Sequence, residues 1–171
     1  SLGYFISKFN AEKQIIDCGL NFTIFRPSYI IGKDDLFSKN LKKQMKSGEI
    51  IIPGSGTYSI QPIHVLDVVK VIFESVLQLR FNNKIIDLVG PDSVTYEKYV
   101  KLFSKGTATK IRKINLEDAY HDAIINPKPL FGIDDLNILI GNFNGNHKRL
   151  SRISKIEFQS VLELLQSGRL L

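Results

Sequence analysis

The hydrophobic and polar positions of the chain follow two periods in alternation, and this alternation predicts an α/β protein. Over residues 4–18 the apolar side chains recur at the spacing of an amphipathic helix. They are Phe5, Phe9, Ile15 and Ile16. Gly19 supplies a C-terminal end for this helix, and residues 21–25 are β-branched and aromatic, as in a buried parallel strand. Helix, glycine and strand in this order form the second half of a doubly wound unit.

The same alternation continues along the rest of the chain. The predicted helices are 36–47, 67–81, a helix from 94 or 95 to 104, 116–125, 131–140 and a helix from 155 or 156 to 166. The predicted strands are 49–53, 61–65, 84–89 and 110–114. Asp34 or Asp35 is placed to cap the first of these helices. Residues 141–146 are expected to form a loop, and the basic run 147–152 is expected at the surface.

Composition and charge narrow the class of protein. The chain has 171 residues, 43% hydrophobic and 23% charged, which predicts one globular domain, or most of one, without a membrane span. The net charge of +6 permits anionic ligands but selects none. The basic run lacks interleaved aromatic residues, so nucleic-acid binding is not expected. A single cysteine suits a reducing, cytoplasmic location, and the three histidines lack metal-ligand spacing.

Tyr4 and Lys8 carry the candidate chemistry. They are four residues apart, so they lie one turn apart on the same face of the predicted helix. A cation beside a phenol stabilises its deprotonated form, which allows the tyrosine to act as a general acid and base. The alternative is a half-buried ring beside a solvated amine, because this spacing also arises by chance on many helices.

Four segments of the chain resemble a known family. They are residues 4–12 (Tyr-x-Ile-Ser-Lys-x-x-Ala-Glu), 19–27 (Gly-Leu-Asn-Phe-Thr-Ile-Phe-Arg-Pro), 61–68 (Gln-Pro-Ile-His-Val-Leu-Asp-Val) and 88–92 (Leu-Val-Gly-Pro-Asp). In this order and at this spacing they resemble the extended and atypical short-chain dehydrogenase/reductases, the relatives of nucleoside-sugar epimerases and dehydratases. The resemblance covers most of residues 4–105 and fades after them.

The resemblance implies roles for particular residues. Tyr4 would exchange the substrate's hydroxyl proton, and Lys8 would hydrogen-bond the nicotinamide ribose of NAD or NADP in the full-length protein. The implied cofactor-binding residues are Tyr4, Lys8, Pro27, Ser28 and Ile30, and the implied substrate-binding residues are Arg26, Tyr29, Gln61 and His64. A structural salt bridge is an equal alternative for Arg26, and a packed histidine is the alternative for His64. Many relatives carry arginine where this chain has Gln61, which counts against a standard nucleotide-sugar substrate.

The resemblance also implies a fold and a domain organisation. The chain is expected to be the C-terminal half of a protein with a Rossmann-like doubly wound sheet and a small α/β substrate-binding subdomain. Residues 1–33 would end the Rossmann-like domain, and residues 34–171 would form the subdomain with interleaved Rossmann elements. Alone, this half is expected to be inactive and to associate as a homodimer.

Three functions remain open from the sequence. The first is the substrate-binding half of an NAD(P)-dependent, sugar-nucleotide epimerase- or dehydratase-like oxidoreductase that acts on a small molecule, with a nucleotide-sugar as one candidate. The second is a non-catalytic nucleotide-binding sensor or scaffold of the same family, such as an accessory subunit of respiratory complex I. The third is an ordinary α/β binding module in which the tyrosine and lysine meet by chance.

Overall fold

The computed structural model describes residues 2–170 as eight α-helices and eight short strands. The helices are α1 (Leu2–Asp17), α2 (Leu36–Lys46), α3 (Val65–Leu77), α4 (Tyr96–Phe103), α5 (Leu116–Ile125), α6 (Ile133–Ile140), α7 (His147–Ser154) and α8 (Val161–Gln166). The strands are β1 (Thr23–Pro27), β2 (Ile30–Ile31), β3 (Glu49–Pro53), β4 (Ser59–Ile60), β5 (Ile63–His64), β6 (Lys84–Leu88), β7 (Val94–Thr95) and β8 (Lys110–Ile114). None of the described helices is long and apolar enough to cross a membrane.

The strands pair mostly in parallel. β1 pairs with β6, with Thr23 opposite Lys84 and Pro27 opposite Leu88, and both strands therefore end at the same edge. β2 pairs with β5 and β3 with β8, also in parallel, whereas β4 and β7 are antiparallel. Parallel strands joined by helices are the pattern that the sequence predicted, and the α/β class is confirmed.

Helix ends follow the predicted capping residues. The Oδ1 atom of Asp35 accepts a hydrogen bond from the backbone N–H of Ser38 at 2.7 Å, which caps α2. Gly19 has a φ of +76°, which a residue with a side chain rarely adopts, and the chain turns there after α1. These two local signals place the ends of α1 and α2 to within about two residues of the prediction.

The C-terminal region differs from the prediction of one helix over 155–166. α7 occupies the basic run, and Lys155 ends it in a left-handed conformation with a φ of +59°. Ile156 and Phe158 then pack against buried residues as an extended segment, and the backbone N–H of Gln159 donates to the buried carboxylate of Asp67. Tertiary contacts therefore outweigh the helical pattern of this segment, and Ser160 caps a separate, shorter α8.

Two further boundaries are corrected. The strand predicted over 61–65 is limited to β5, because α3 begins at Val65 rather than at Asp67. The same helix ends at Leu77, and a single 3₁₀ turn, Leu79–Phe81, completes the predicted helical stretch.

The buried apolar residues form two separate clusters. The larger core lies among α2, β3, α4, α5, α6 and α8, and its most deeply buried aromatic residues are Tyr96, Tyr99 and Phe103. The smaller core joins β5, α3, β6 and α7. It consists of Ile63, Val68, Val71, Phe81, Ile86, Leu88 and Leu150.

The helices α1 and α3 expose apolar residues. The α1 face comprises Tyr4, Phe5, Ile6, Phe9, Ile15 and Ile16, and the α3 face comprises Leu66, Val69, Ile72, Phe73, Val76 and Leu77. Phe73 is 64% exposed and Val76 is 79% exposed. Exposed apolar surface of this extent is uncommon on monomeric proteins.

Candidate functional site

A cavity of about 590 Å³ opens where α1 passes the carboxyl ends of β1 and β6. Its walls come from α1, the end of β1, the segment after β6, and residues 138–145. In open α/β folds this edge of the sheet is the usual ligand-binding position, because loops from several strands converge there. The cavity is therefore the candidate site.

The structure brings six of the nine predicted site residues to this cavity. They are Tyr4, Lys8, Arg26, Pro27, Ser28 and Tyr29. The other three, Ile30, Gln61 and His64, are not among its lining residues. Residues 25–29 line the cavity, and Ile30, the first residue of β2, comes directly after them.

Tyr4 and Lys8 lie together at the mouth of the cavity. The Nζ atom of Lys8 is 5.5 Å from the centroid of the Tyr4 ring, above its face, as the one-turn spacing predicted. The Tyr4 ring also meets the Phe5 ring edge-on, with 5.3 Å between centroids. A phenol, an ammonium group and an apolar ring therefore share one edge of the site.

Arg26 forms a bidentate ion pair with Glu12. Its Nε donates to Oε1 at 2.9 Å and its Nη2 donates to Oε2 at 2.6 Å. This hydrogen-bonded pairing holds the pKa of Glu12 below its usual value, against the opposing effect of desolvation, and raises the pKa of Arg26. The pair connects α1 to β1 across the cavity, which is the structural salt bridge that the sequence left as an alternative for Arg26.

Tyr29 forms part of the cavity wall. Burial raises the pKa of its phenol well above the usual value, and the Asp135 carboxylate nearby raises it further. The ring of Tyr29 packs against Phe37, with 4.7 Å between centroids. A phenol that is so difficult to ionise does not suit a general base, so Tyr4 is the better-placed tyrosine for proton exchange.

Gln61 and His64 make protein contacts outside the cavity. Gln61 is 6% exposed, and its amide donates to the Gly90 carbonyl at 2.8 Å and accepts from the Gly145 N–H at 2.9 Å. The Nδ1 atom of His64 is 3.2 Å from the side-chain nitrogen of Gln159. We predicted that both residues contact a substrate. This stays a prediction, because the hydrogen bonds of both residues go to other protein groups.

The segment of residues 141–146, here called the 141–146 loop, contributes a wall that the sequence did not assign to the site. Phe143, Asn144 and Gly145 line the cavity, and the Phe143 ring lies 6.2 Å from the Phe5 ring at an interplanar angle of 17°. The sequence indicated a loop here, but a contact between residues 138 positions apart leaves no local signal. Glu12 and Asp87 also line the cavity without having been predicted.

Comparison with known proteins finds solved structures of similar fold and one curated relative. No family model matches the chain. Over 110 residues, 64% of this chain and 31% of the relative, it is 26% identical to the NADH dehydrogenase [ubiquinone] 1 alpha subcomplex subunit 9, mitochondrial, of Dictyostelium discoideum. A nucleoside-diphosphate-sugar epimerase from Staphylococcus aureus superposes with a TM-score of 0.67 at 17% identity, covering 92% of this chain and 56% of that one. The NADPH-dependent quinone oxidoreductase of Escherichia coli, solved with NADPH, gives 0.68 at 15% identity with the same coverages.

These similarities define the class of fold. The chain has the Rossmann-like α/β fold of the NAD(P)-dependent epimerases, dehydratases and reductases, as the resemblance of its four segments predicted. It spans about half the length of the solved structures it matches and about a third of the curated relative.

Proposed function

We propose that the chain is the substrate-binding half of an NAD(P)-dependent oxidoreductase of the epimerase, dehydratase or reductase type. The observation that carries the proposal is the position of Tyr4 and Lys8, one turn apart on α1 and both lining the cavity at the carboxyl edge of β1 and β6. Structural neighbours solved with NAD and with NADPH support the choice of NAD or NADP.

The residues present fit the nicotinamide end of such a cofactor. Lys8 offers an ammonium donor for ribose hydroxyls, and Phe5 and Phe9 offer apolar surface beside it. When bound, the cofactor supplies or accepts the hydride. Pro27 and Ser28 line the cavity at the end of β1 and would contact the nicotinamide end of the cofactor.

Tyr4 is the proton-exchanging residue in this proposal. Its hydroxyl donates a proton to the oxygen of a carbonyl substrate during reduction and takes the proton back during oxidation. Lys8 stabilises the phenolate that remains after donation, because its positive charge lies one turn away. The Glu12–Arg26 ion pair holds α1 against β1 and so keeps both groups at the cavity.

A second function is a non-catalytic, nucleotide-binding subunit. The observation that favours it is the curated relative, an alpha-subcomplex subunit of NADH dehydrogenase. In that case the fold would hold a cofactor or a neighbouring chain without turnover. A cytoplasmic location and self-association belong to the first function. The free Cys18 supports the location, and the exposed α1 and α3 faces support association of the chain about a two-fold axis.

Replacing Tyr4 distinguishes the two functions. In the protein that carries this chain together with its cofactor-binding half, Tyr4→Phe should lower turnover by about 100- to 10,000-fold, because proton transfer contributes that range. NADPH affinity, measured by calorimetry, should stay within about twofold. Lys8→Ala should weaken both turnover and NADPH binding.

Tyr120→Phe is the matched control. Tyr120 donates to Asn137 at 2.7 Å and is not among the cavity-lining residues, so this variant should keep normal turnover. Turnover that is unchanged in Tyr4→Phe, with a carbonyl substrate that the protein does reduce, would reject the catalytic proposal and favour the second function.

A further inference from the structure

β8 is one strand of a two-stranded parallel sheet, and its partner is β3. The Lys110 N–H donates to the Gly48 carbonyl at 3.0 Å, and the Gly54 N–H donates to the Ile114 carbonyl at 2.8 Å. Along a parallel ladder, alternate residues of a strand turn their backbone groups to the same neighbouring strand. Residues 110, 112 and 114 therefore face β3 with their N–H and carbonyl groups, and the residues between them face outward.

The outward backbone groups of β8 belong to Ile111 and Lys113, and they have no hydrogen-bond partner within residues 2–170. The outer edge of β3 is different. There the N–H of Ile51 donates to Oε1 of Gln44 at 2.8 Å, and Gln44 is buried on α2. Because the chain satisfies the free edge of β3 and leaves that of β8 open, β8 is the edge to which a further strand can be added.

The open edge of β8 is positively charged. The three basic residues of the strand are exposed to solvent. Around the strand, the cations outnumber the carboxylates that bind them. The cations are Lys101, Lys110, Arg112 and Lys113, and the carboxylates are Glu49 and Glu97. Lys110 has no ion pair within the described part of the chain, and the next carboxylates along it, Glu117 and Asp118, lie on α5, after the strand has ended.

These charges decide which strands can pair with β8. Charged side chains on an edge strand prevent it from pairing with another copy of itself. Like charges directly opposite each other in a sheet are destabilising, whereas opposite charges are stabilising. The cations of β8 therefore exclude a second β8 and favour a strand that carries carboxylates.

The apolar side of β8 is already in use. Ile111 and Ile114 pack against the larger core, so the strand offers a partner its backbone edge and its charges rather than apolar surface. The apolar faces that a further domain would cover are on α1 and α3 instead. A strand that adds to β8 is therefore expected from another polypeptide.

We propose that the outer edge of β8 is a docking site for an extended, acidic segment of another polypeptide, which adds to the β3–β8 sheet as a third strand. The backbone of this segment exchanges hydrogen bonds with the N–H and carbonyl groups of Ile111 and Lys113. Its carboxylates lie beside Lys110 and the neighbouring cations.

The test uses the 171-residue chain and two synthetic peptides of equal length and equal charge. One peptide alternates glutamate with valine. The other alternates glutamate with proline, which has no N–H and does not form a regular ladder. In calorimetry at physiological salt, the valine peptide should bind at least about tenfold more tightly than the proline peptide, because only the valine peptide can form the backbone hydrogen bonds.

Amide hydrogen exchange, resolved by NMR, locates the bound strand. At saturating valine peptide, exchange of the Ile111 and Lys113 N–H groups should slow by at least about tenfold, because both become hydrogen-bonded. Exchange of the Arg112 N–H should change little, because this group already faces β3. Uniform protection of the region, or none, would overturn the proposal.

Substitutions at Lys113 separate the backbone from the charge. Lys113→Ala removes the ammonium group and keeps the outward N–H, whereas Lys113→Pro removes both and leaves the ladder to β3 in place. The proline variant should bind the valine peptide about tenfold more weakly than the alanine variant does. If the proline variant does not fold, the exchange measurement on the unsubstituted chain still decides the result.

A charge reversal tests the preference for an acidic strand. Lys110→Glu should weaken binding of the valine peptide by about fivefold, because it places a like charge opposite the peptide's carboxylates. Lys148→Glu is the matched control on α7 and should change the affinity by less than about twofold.

Three further outcomes would overturn the proposal. Equal affinity for the two peptides would show electrostatic attraction only. Equal weakening by both charge reversals would show that net charge, and not the edge of β8, attracts the peptide. A single-stranded RNA of the same charge that binds more tightly than the valine peptide, and that loses affinity in Lys110→Glu, would assign the cations to a nucleic acid. These measurements involve neither Tyr4 nor turnover, so their outcome is independent of the proposed function.

Discussion

The larger and the smaller core are built from the same kinds of residue and are equally buried, but they differ in the apolar surface around them. We call the part of the chain around the larger core the closed region, and the part with the exposed α1 and α3 faces the open region. Tyr99 and Phe103 on α4 are almost completely buried, with 0% and 1% of their surface exposed. On α3, beside the smaller core, Val68 and Val71 are buried while Phe73 and Val76 on the other side of the helix face solvent. The apolar pattern of a helix therefore shows that it has partners, but not that this chain contains them.

The difference follows from the sheet beside each core. β1 has β6 as a neighbour on one side within residues 2–170, and α1 and α3 turn apolar faces outward next to this pair. The structural neighbours are about twice as long as the chain. We propose that a further part of a Rossmann-like domain covers these faces. Within residues 34–171, the substrate-binding subdomain would then fold around the larger core, and the interleaved Rossmann elements would form the smaller core.

The sharpest test of this comparison is a pair of phenylalanine substitutions. Phe103→Ala should lower the free energy of unfolding by about 3–5 kcal/mol, because it removes a buried ring from the larger core and leaves a cavity. Phe73→Ala should change it by less than about 0.5 kcal/mol at concentrations too low for self-association, because that ring is then largely in solvent. Urea unfolding of both variants of the 171-residue chain measures the difference. Equal losses would show that α3 is covered in solution.

The sequence predicted most of the elements because their signals are local. The apolar spacing of α1, the glycine after it, and the carboxylate of Asp35 at the start of α2 each act within one or two turns. The prediction was wrong over 155–166 because the deciding contact, the buried Asp67 accepting from Gln159, joins residues 92 positions apart. No local pattern contains such a contact.

Local signals likewise predicted some residues of the candidate site and missed others. Tyr4 and Lys8 were predictable as neighbours because both lie on one helix, and Arg26 and Ser28 because the end of a parallel strand is the expected ligand edge. Phe143 was not predictable, since only the folded chain brings it to Phe5. Gln61 was predicted to meet substrate from the resemblance alone, whereas its hydrogen bonds in the structure go to the 141–146 loop and Gly90.

The exposed apolar faces of α1 and α3 should also cause self-association of the chain. At about 25 cal/mol per Å², covering several hundred Å² of the α1 and α3 faces contributes several kcal/mol towards a dimer. Sedimentation equilibrium at tens of micromolar should therefore detect a dimer or larger species. Replacing Phe73 and Val76 together with aspartate should shift the chain towards monomer, because it places two charges in the α3 face.

The matched control places the same charges elsewhere on the surface. Ser55 and Thr57 lie in an exposed turn before β4, away from both faces, and aspartate at these positions should leave the association unchanged. Equal weakening by both pairs would attribute association to net charge rather than to the apolar faces. A chain that is monomeric at all these concentrations would show that the faces are not sufficient for dimer formation.

The smallest effect concerns an ion cluster on the closed region. Hydrogen bonds from Lys101 and Lys113 lower the pKa of Glu97 to about 2, from an ordinary value of 4.5. Because the pKa is lower in the folded state, the cluster stabilises the fold above about pH 4.5, and this contribution is lost as the pH falls from 4.5 towards 2.

Glu97→Gln should make the acid-induced loss of stability shallower. Glu117→Gln, which replaces an exposed glutamate on α5, serves as the control. Both lysine side chains are about half exposed, so salt should reduce the difference between wild type and Glu97→Gln. Some acid sensitivity should persist in the variant, because the pKa of Glu12 in the open region is lowered as well and acts with the same sign. A loss of stability with the same pH dependence in wild type and Glu97→Gln would mean that the cluster does not form in solution, and that burial of the larger core, without surface charge, stabilises the closed region.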